Sequence, residues 1–565
     1  MLLLSGERGG KRRRHGDERG ENESTQLTQS GSIRMLTAFH PTVNLFDTIG
    51  MRLFRLIAAP APLLLAACGS KPGSATSLAY YETYDPRSLD PALSTDVPTG
   101  EMVSYVFDGL TAFDVNGKLL PGLADRWTIE HNGQRYVFHL RPGVRFHNGQ
   151  AFKAADVRAS FLRVLDPAST GGRAWPLYPV AGAPAYAARA ASDVRGLQVL
   201  GDTAVAFELT EPLAIFPKFL AMPVVSIVPS PAPADLAAHP VGTGPWRFVA
   251  WQHDDYLLFA KNPGYWGGAP LADTLSVRII PEPLTQAAEL EAGRLSVVEV
   301  PFGEGARWRA QRPDWLQGKP GLRVMYVALN TRRGPLTDVR VRQAINYAVN
   351  VPEILRTVWD GRGVVARGAI PPLLAGSDTA RRGFGFDPAK ARQLLAAAGY
   401  PDGFAIQLWR QSSNVVLGRV AQAVQADLEK VGIRVELVER DASSQRQAAR
   451  AGTADMALLD WWADYPDADN FLFPLFHSGN FGPGGNYAFY RDPVTDSLIL
   501  RARRTADDAA RTALYRQIDE RVYRAAPWLY LWFPVDLWAE HPKVQGWEFP
   551  VISNGQRWTG VRRLP

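Results

Sequence analysis

With 565 residues, 46% of them hydrophobic, the chain is too long for one ordinary core and suits two or three globular domains. Its net charge of +6 includes a basic leader, and from Cys68 onward the charges are close to balanced, so nothing in the composition suggests a nucleic-acid surface. Cys68 is the only cysteine, which excludes any disulfide within the chain.

Residues 1–50 combine the basic cluster Lys11-Arg12-Arg13-Arg14 with a polar run from Glu21 to Ser32, and such a segment cannot bury enough apolar surface to fold alone. It reads as disordered or untranslated, with Met51 the expected start and Met1 and Met35 the alternatives. Residues 51–67 then form a signal: Met51-Arg52-Leu53-Phe54-Arg55 supplies the basic end and Leu56 to Ala67 an apolar run of 12 residues, too short to span a hydrocarbon core of roughly 30 Å. The end of that run, Leu65-Ala66-Ala67-Cys68, resembles the bacterial lipobox, which implies cleavage and lipidation at Cys68. Residues 68–76, rich in Gly, Ser and Pro, suit a flexible tether. Beyond the signal no run of 18 apolar residues occurs, so the body is expected to be soluble and held to a membrane by lipid alone.

The body opens with short alternating stretches. Arg135 to Leu140 and Thr203 to Leu209 predict half-buried strands, preceded by Asn132-Gly133 and Gly201-Asp202 turns. Farther on, Val341, Ile345 and Ala348 carry helical spacing behind a capping Asp338. Asp387 caps a second helix with Pro388 at its first position and Gly399 beyond its end. A third, Val415 to Val431, stops at Gly432 and leads into the alternating Ile433 to Val438. Helix followed by strand predicts an α/β lobe. No repeat of solenoid period is present.

Enzyme motifs are missing. Gly242-Thr243-Gly244 starts like a dinucleotide loop, but Pro245 and Arg247 break the pattern, so it reads as a turn. There is no phosphate-cradling glycine loop, no zinc-protease helix and no nucleophile elbow. His139 and His147, eight residues apart, read as satisfied histidines rather than metal ligands.

Other motifs occur in a recognisable order: Leu89-Asp90-Pro91-Ala92, Phe107-Asp108-Gly109-Leu110-Thr111, Leu123-Ala124-Asp125-Arg126-Trp127, Tyr136 through Gly149, and Ala154-Ala155-Asp156-Val157. Pro240 through Trp246, Asn262-Pro263-Gly264-Tyr265-Trp266, Asp338 through Ala344 and Trp461 through Asp467 follow. From about Leu78 to the C-terminus the chain resembles the family 5 extracellular solute-binding proteins of ABC importers, the peptide-binding group. The resemblance implies an α/β, two-lobed periplasmic-binding-protein-like fold (class II, three-domain peptide-binding type) with mixed sheets and a hinged cleft between the lobes. It places an interrupted first domain at 77–107, 220–300 and 531–565, a second at 108–219, and the second lobe at 301–530. It further implies a peptide ligand, an ABC permease with ATPase subunits as partners, a monomer outside the cytoplasm, and no catalysis, cofactor, metal or nucleic acid.

In peptide-binding relatives the aspartate of a W-x-x-D pattern pairs with the ligand's α-ammonium group; Asp464 matches it, between Trp461-Trp462 and Tyr465. An ion among aromatic walls needs a partner. The alternative is a turn aspartate, a role better suited to Asp467 and Asp469. Tyr326 and Asn330, on and after the strand Val324 to Leu329, are expected to border the cleft by the same resemblance; a core tyrosine and a turn asparagine are the other reading. Thr95 and Val97 occupy a segment that faces ligand in relatives. Arg410 lies near where dipeptide-binding relatives hold an arginine for the ligand's carboxylate, at a different spacing; an exposed strand-end arginine is its alternative. Within the family, nickel chelates, haem, opines and sugars remain open as ligands, and a secreted hydrolase is the rival from outside it.

Overall fold

The computed structural model describes residues 76–168 and 173–565, so the leader, Cys68 and most of the tether lie outside the described residues. Three sheets carry the architecture. In the first, the strand Ser77–Glu82 runs parallel to Thr274–Ile279, which pairs antiparallel with Tyr256–Lys261 and through it with Trp246–Gln252. In the second, Ala124–Glu130, Arg135–Leu140, Ala204–Glu208 and Leu197–Val199 lie side by side, all antiparallel. The two strands expected to be half-buried are the interior pair of this sheet, and Tyr136, Phe138, Val205 and Phe207 are completely buried. Helix Ala154–Leu165 and the segment around Phe216 add Phe161 and Phe216 to the same core, covering the strands more fully than alternation alone suggests.

The third sheet has eight strands and is mixed. Its axis is Trp528–Glu540, a strand of 13 residues. The N-terminal part pairs with Arg323–Leu329, while the C-terminal part pairs with Leu316–Pro320 and Val297–Glu299. Arg323–Leu329 is followed across the sheet by Met456–Trp462, Phe404–Gln411 and Ile433–Arg440, the last pairings being parallel. Helices cover both faces, and the period of two in the strands sorts side chains between them. Met325, Val327 and Leu329 pack with Val341 and Ile345 on one side; Val324, Tyr326 and Ala328 pack with Phe471 and Ile518 on the other.

The helices end where local chemistry dictates. Asp338 accepts a hydrogen bond from Arg340 N at the start of Val339–Ala348, and Asp387 accepts one from Lys390 N before Pro388–Ala397. Gly399 and Gly432 both have φ of +92°, where a side chain would be strained. The third helix is Val415–Glu429, two residues shorter than its apolar period suggests, because the chain turns toward Gly432 before the pattern runs out.

The sequence motifs converge on one buried node. Asp108, just past helix Val97–Val106, accepts hydrogen bonds from Thr243 Oγ1 (2.7 Å), Trp266 Nε1 (2.9 Å), Tyr265 OH (3.3 Å) and Arg557 Nη1 (2.6 Å). Arg557 also donates to the carbonyls of Ser104 and Phe107, satisfying the end of that helix from the C-terminal segment. Gly242 is needed for the same packing: a Cβ there would stand 2.0 Å from the Val106 carbonyl oxygen. A second tie, Asp90, caps the turn Pro91–Leu93 and accepts a 2.7 Å hydrogen bond from Arg163 Nη1. These contacts fix helix Val97–Val106, and with it the side chains it presents to the site.

Candidate functional site

Asp464 follows the strand Met456–Trp462 on a loop held from several sides. Asn470 Oδ1 accepts from Asp464 N (3.1 Å) and from Trp461 Nε1 (3.0 Å). Lys218 Nζ donates to Asp467 Oδ2 (2.6 Å), and Tyr515 OH to Asp467 Oδ1 (2.8 Å). Burial alone would raise the Asp467 carboxyl, but the Lys218 ammonium together with hydrogen bonds from Asp469 N, Lys218 and Tyr515 keeps it below its ordinary range. Asp467 and Asp469 are thus both buried and structural, Asp469 accepting from Tyr465 OH at 2.8 Å. On this scaffold the Asp464 side chain is about one quarter exposed (25%) and pairs with Arg173 at 2.5 Å. Arg173 Nη1 also donates to the Thr95 carbonyl (3.2 Å), so Asp464, Arg173 and Thr95 form one polar cluster.

Trp462 and Val97, each two residues from that cluster, stand in the wall of a cavity of about 360 Å³. The Trp462 Nε1 donates to Asp460 (3.0 Å) and the guanidinium of Arg323 stacks over its ring at 4.5 Å. Trp461 is half-buried against the core.

Three expected site residues lie elsewhere. Tyr326 is completely buried, stacked on Trp528 with ring centroids 3.8 Å apart, and does not line the cavity. Its strand is interior to a sheet covered on both faces, so alternation sends it into the core. Asn330 donates to the carbonyls of Gly452 (3.0 Å) and Ala454 (3.3 Å), tying two loops together. Arg410 is buried on the inward face of Phe404–Gln411, paired with Glu439 and donating to the Gln411 carbonyl. All three serve packing in this structure.

The cavity lies between the first strand, helix Val97–Val106, the C-terminal part of Trp528–Glu540 and the segment Trp547–Trp558. Tyr80, Tyr105, Trp462, Trp538, Trp547 and Trp558 give it aromatic walls. Four carboxylates, Glu82, Glu101, Glu299 and Asp536, belong to the same wall. Burial pushes Glu101 up to about 8 and Glu299 up to about 7; burial and then Glu101 itself push Glu82 up, and burial raises Asp536. Sequence reading missed these acids. The available signal was Glu101, the lone charge in the apolar helix Val-Pro-Thr-Gly-Glu-Met-Val-Ser-Tyr-Val.

Among the described residues no cluster of three or more His, Cys, Asp or Glu is placed to hold a metal ion. His147 Nε2 lies 3.0 Å from the Gly244 carbonyl, and burial lowers its pKa to about 4. Because that value is below the unfolded one of about 6.5, His147 supports the fold above pH ~6.5, and this contribution fades as pH falls toward 4, by on the order of 3 kcal/mol. In urea titrations across that range, the stability gap between wild type and His147→Gln is expected to narrow as pH falls.

Residues 118–483 match the family described as bacterial extracellular solute-binding proteins, family 5 Middle. The chain belongs to that family. A dipeptide-binding protein of Escherichia coli is 32% identical over 483 residues, covering 81% of this chain and 89% of its own length. Haem-binding protein A of Haemophilus influenzae is 31% identical over 531 residues, covering 87% and 96%. An ABC transporter-associated periplasmic binding protein of Helicobacter pylori, solved with the peptide STSA, superposes with a TM-score of 0.73 at 28% identity, covering 87% of this chain and 99% of that one. Membership of a family of extracellular solute-binding proteins gives the α/β fold a binding role. No helix among the described residues is long and apolar enough to cross a membrane.

Proposed function

We propose that this family 5 protein is a peptide receptor, capturing short peptides in the aromatic cavity beside Asp464 and delivering them to a membrane permease. The observation that supports this reading is the loop after Met456–Trp462, where Asp464 pairs with Arg173 two residues beyond Trp462, a ring in the wall of the cavity. A free peptide brings an α-ammonium group, the partner that a half-buried carboxylate favours. Haem, the ligand named for one relative, brings two carboxylates of its own, and among the described residues the cavity lining offers no lysine or arginine to meet them. The peptides named for two other relatives fit the charge of the wall better.

In this reading Arg173 holds the place of the ligand's ammonium until peptide arrives. Under the expected division, Arg173 belongs to 108–219 and Asp464 to 301–530, so their pair latches two domains that close by hinge motion. Cys68 carries the lipid that keeps the receptor at the outer side of a membrane. Native mass spectrometry of protein purified from its own cells tests the ligand class: a ladder of bound masses spaced by amino-acid residues is expected. Added peptides should raise the melting temperature and remain intact on long incubation. A bound haem or metal chelate in place of the ladder, or peptide products, would overturn the proposal.

A further inference from the structure

Glu82 closes the strand Ser77–Glu82, Glu101 sits in the middle of helix Val97–Val106, and both belong to the wall of the same cavity. Glu82 is only 9% exposed, forms part of the cavity wall, and its Oε1 is buried with no hydrogen-bond partner. Beside it, Tyr80 lies 5.2 Å from Trp558 and 6.4 Å from Trp538 between ring centroids, and Tyr81 lies 6.3 Å from Trp538. Among the described residues the lining includes no lysine or arginine.

We infer that Glu82 and Glu101 form a cation subsite, which takes a primary ammonium or guanidinium group on the ligand's side chain against the rings of Tyr80 and Trp538. The inference rests on the cavity being the ligand site proposed above, and adds that preferred ligands are cationic. Two carboxyls in the wall of one largely apolar cavity ionise together only at a cost that a counter-ion removes, and burial raises both. An organic cation supplies that counter-ion and leaves its flat or apolar parts to the aromatic faces. A metal ion fits less well, because hard cations need many converging oxygens and no cluster of three or more acids converges here among the described residues.

The other charged groups nearby point the same way. Asp96 adds to the negative field at Glu82, and Arg87, which lies 3.6 Å from Asp96, is far more exposed than its partner. Tyr80, Tyr81 and Tyr105 are held neutral by burial. Glu299 and Asp536 face Arg323 and Arg362, which already offset part of their charge. The unmet demand for a cation is therefore at Glu82 and Glu101.

Calorimetric titration of the full chain with Ala-Ala, Ala-Arg, Arg-Ala, Ala-Glu and agmatine tests the subsite. At least one arginine dipeptide is expected to bind about tenfold or more tighter than Ala-Ala. Its advantage should grow from about pH 6 to about pH 8.5, as the proton that burial keeps on Glu101 becomes easier to expel. In Glu82→Gln and Glu101→Gln the preference should collapse toward one, while circular dichroism confirms the fold. Equal affinity for Ala-Ala and the arginine dipeptides overturns the inference and leaves the peptide reading standing. Agmatine binding with no dipeptide binding supports the subsite and overturns the peptide reading, and no binding by any probe overturns both.

Discussion

Asp108→Ala is expected to destabilise the fold by about 3–5 kcal/mol, the usual cost of leaving one partner of a buried ion pair without the other. Arg557 would keep its charge in a site where its side chain is largely enclosed, and Thr243, Trp266 and Tyr265 would each lose an acceptor. The measurement is the urea midpoint of the full chain. A double variant, Asp108→Ala with Arg557→Met, should lose less than the sum of the single losses, because removing the second charge removes the penalty left by the first. An Asp108→Ala loss below about 1 kcal/mol would show that the node is dispensable and that Gly242 and the aromatic packing hold helix Val97–Val106 unaided. Since that helix carries Glu101 and Tyr105 to the cavity wall, loss of the node should also weaken ligand binding in proportion to the disorder it causes.

The same node shows what a sequence can and cannot reveal. The motifs around Asp108, Gly242 and Trp266 identified the family correctly, yet their side chains are used in packing, so recognition of the family did not by itself locate the cavity. Helix ends were legible because Asp338, Asp387, Gly399 and Gly432 act on their own neighbours in the chain. Tyr326 and Arg410 were harder. Tyr326 sits on a strand whose exposure depends on helices far along the sequence and turned inward where the resemblance suggested a cleft border, while Arg410 packs against Gly418 of the following helix and pairs with Glu439 where a ligand carboxylate was expected. Glu82 and Glu101 come from separate elements, and the wall opposite them contains Asp536 and Trp558, more than four hundred residues away. No local period reports a meeting of that kind.

Asp464→Asn is expected to weaken binding of a peptide with a free N-terminus about a hundredfold, by about 3 kcal/mol. The lower end of the range for a buried pair applies because the Asp464 side chain is one quarter exposed and water shares the work. Asparagine keeps the shape and one acceptor oxygen, so the loss reports charge rather than packing. Acetylating the peptide's N-terminus should weaken binding to wild type by a similar factor and add little in the variant, since both changes remove the same interaction. Arg173 separates this role from a purely structural latch. If the guanidinium only occupies the ammonium position, Arg173→Met frees Asp464 and peptide binding is kept or tightened severalfold. Should Arg173→Met instead impair binding as severely as Asp464→Asn, with acetylated and free peptides affected alike, the pair serves to hold the two segments together and the ammonium must be met elsewhere.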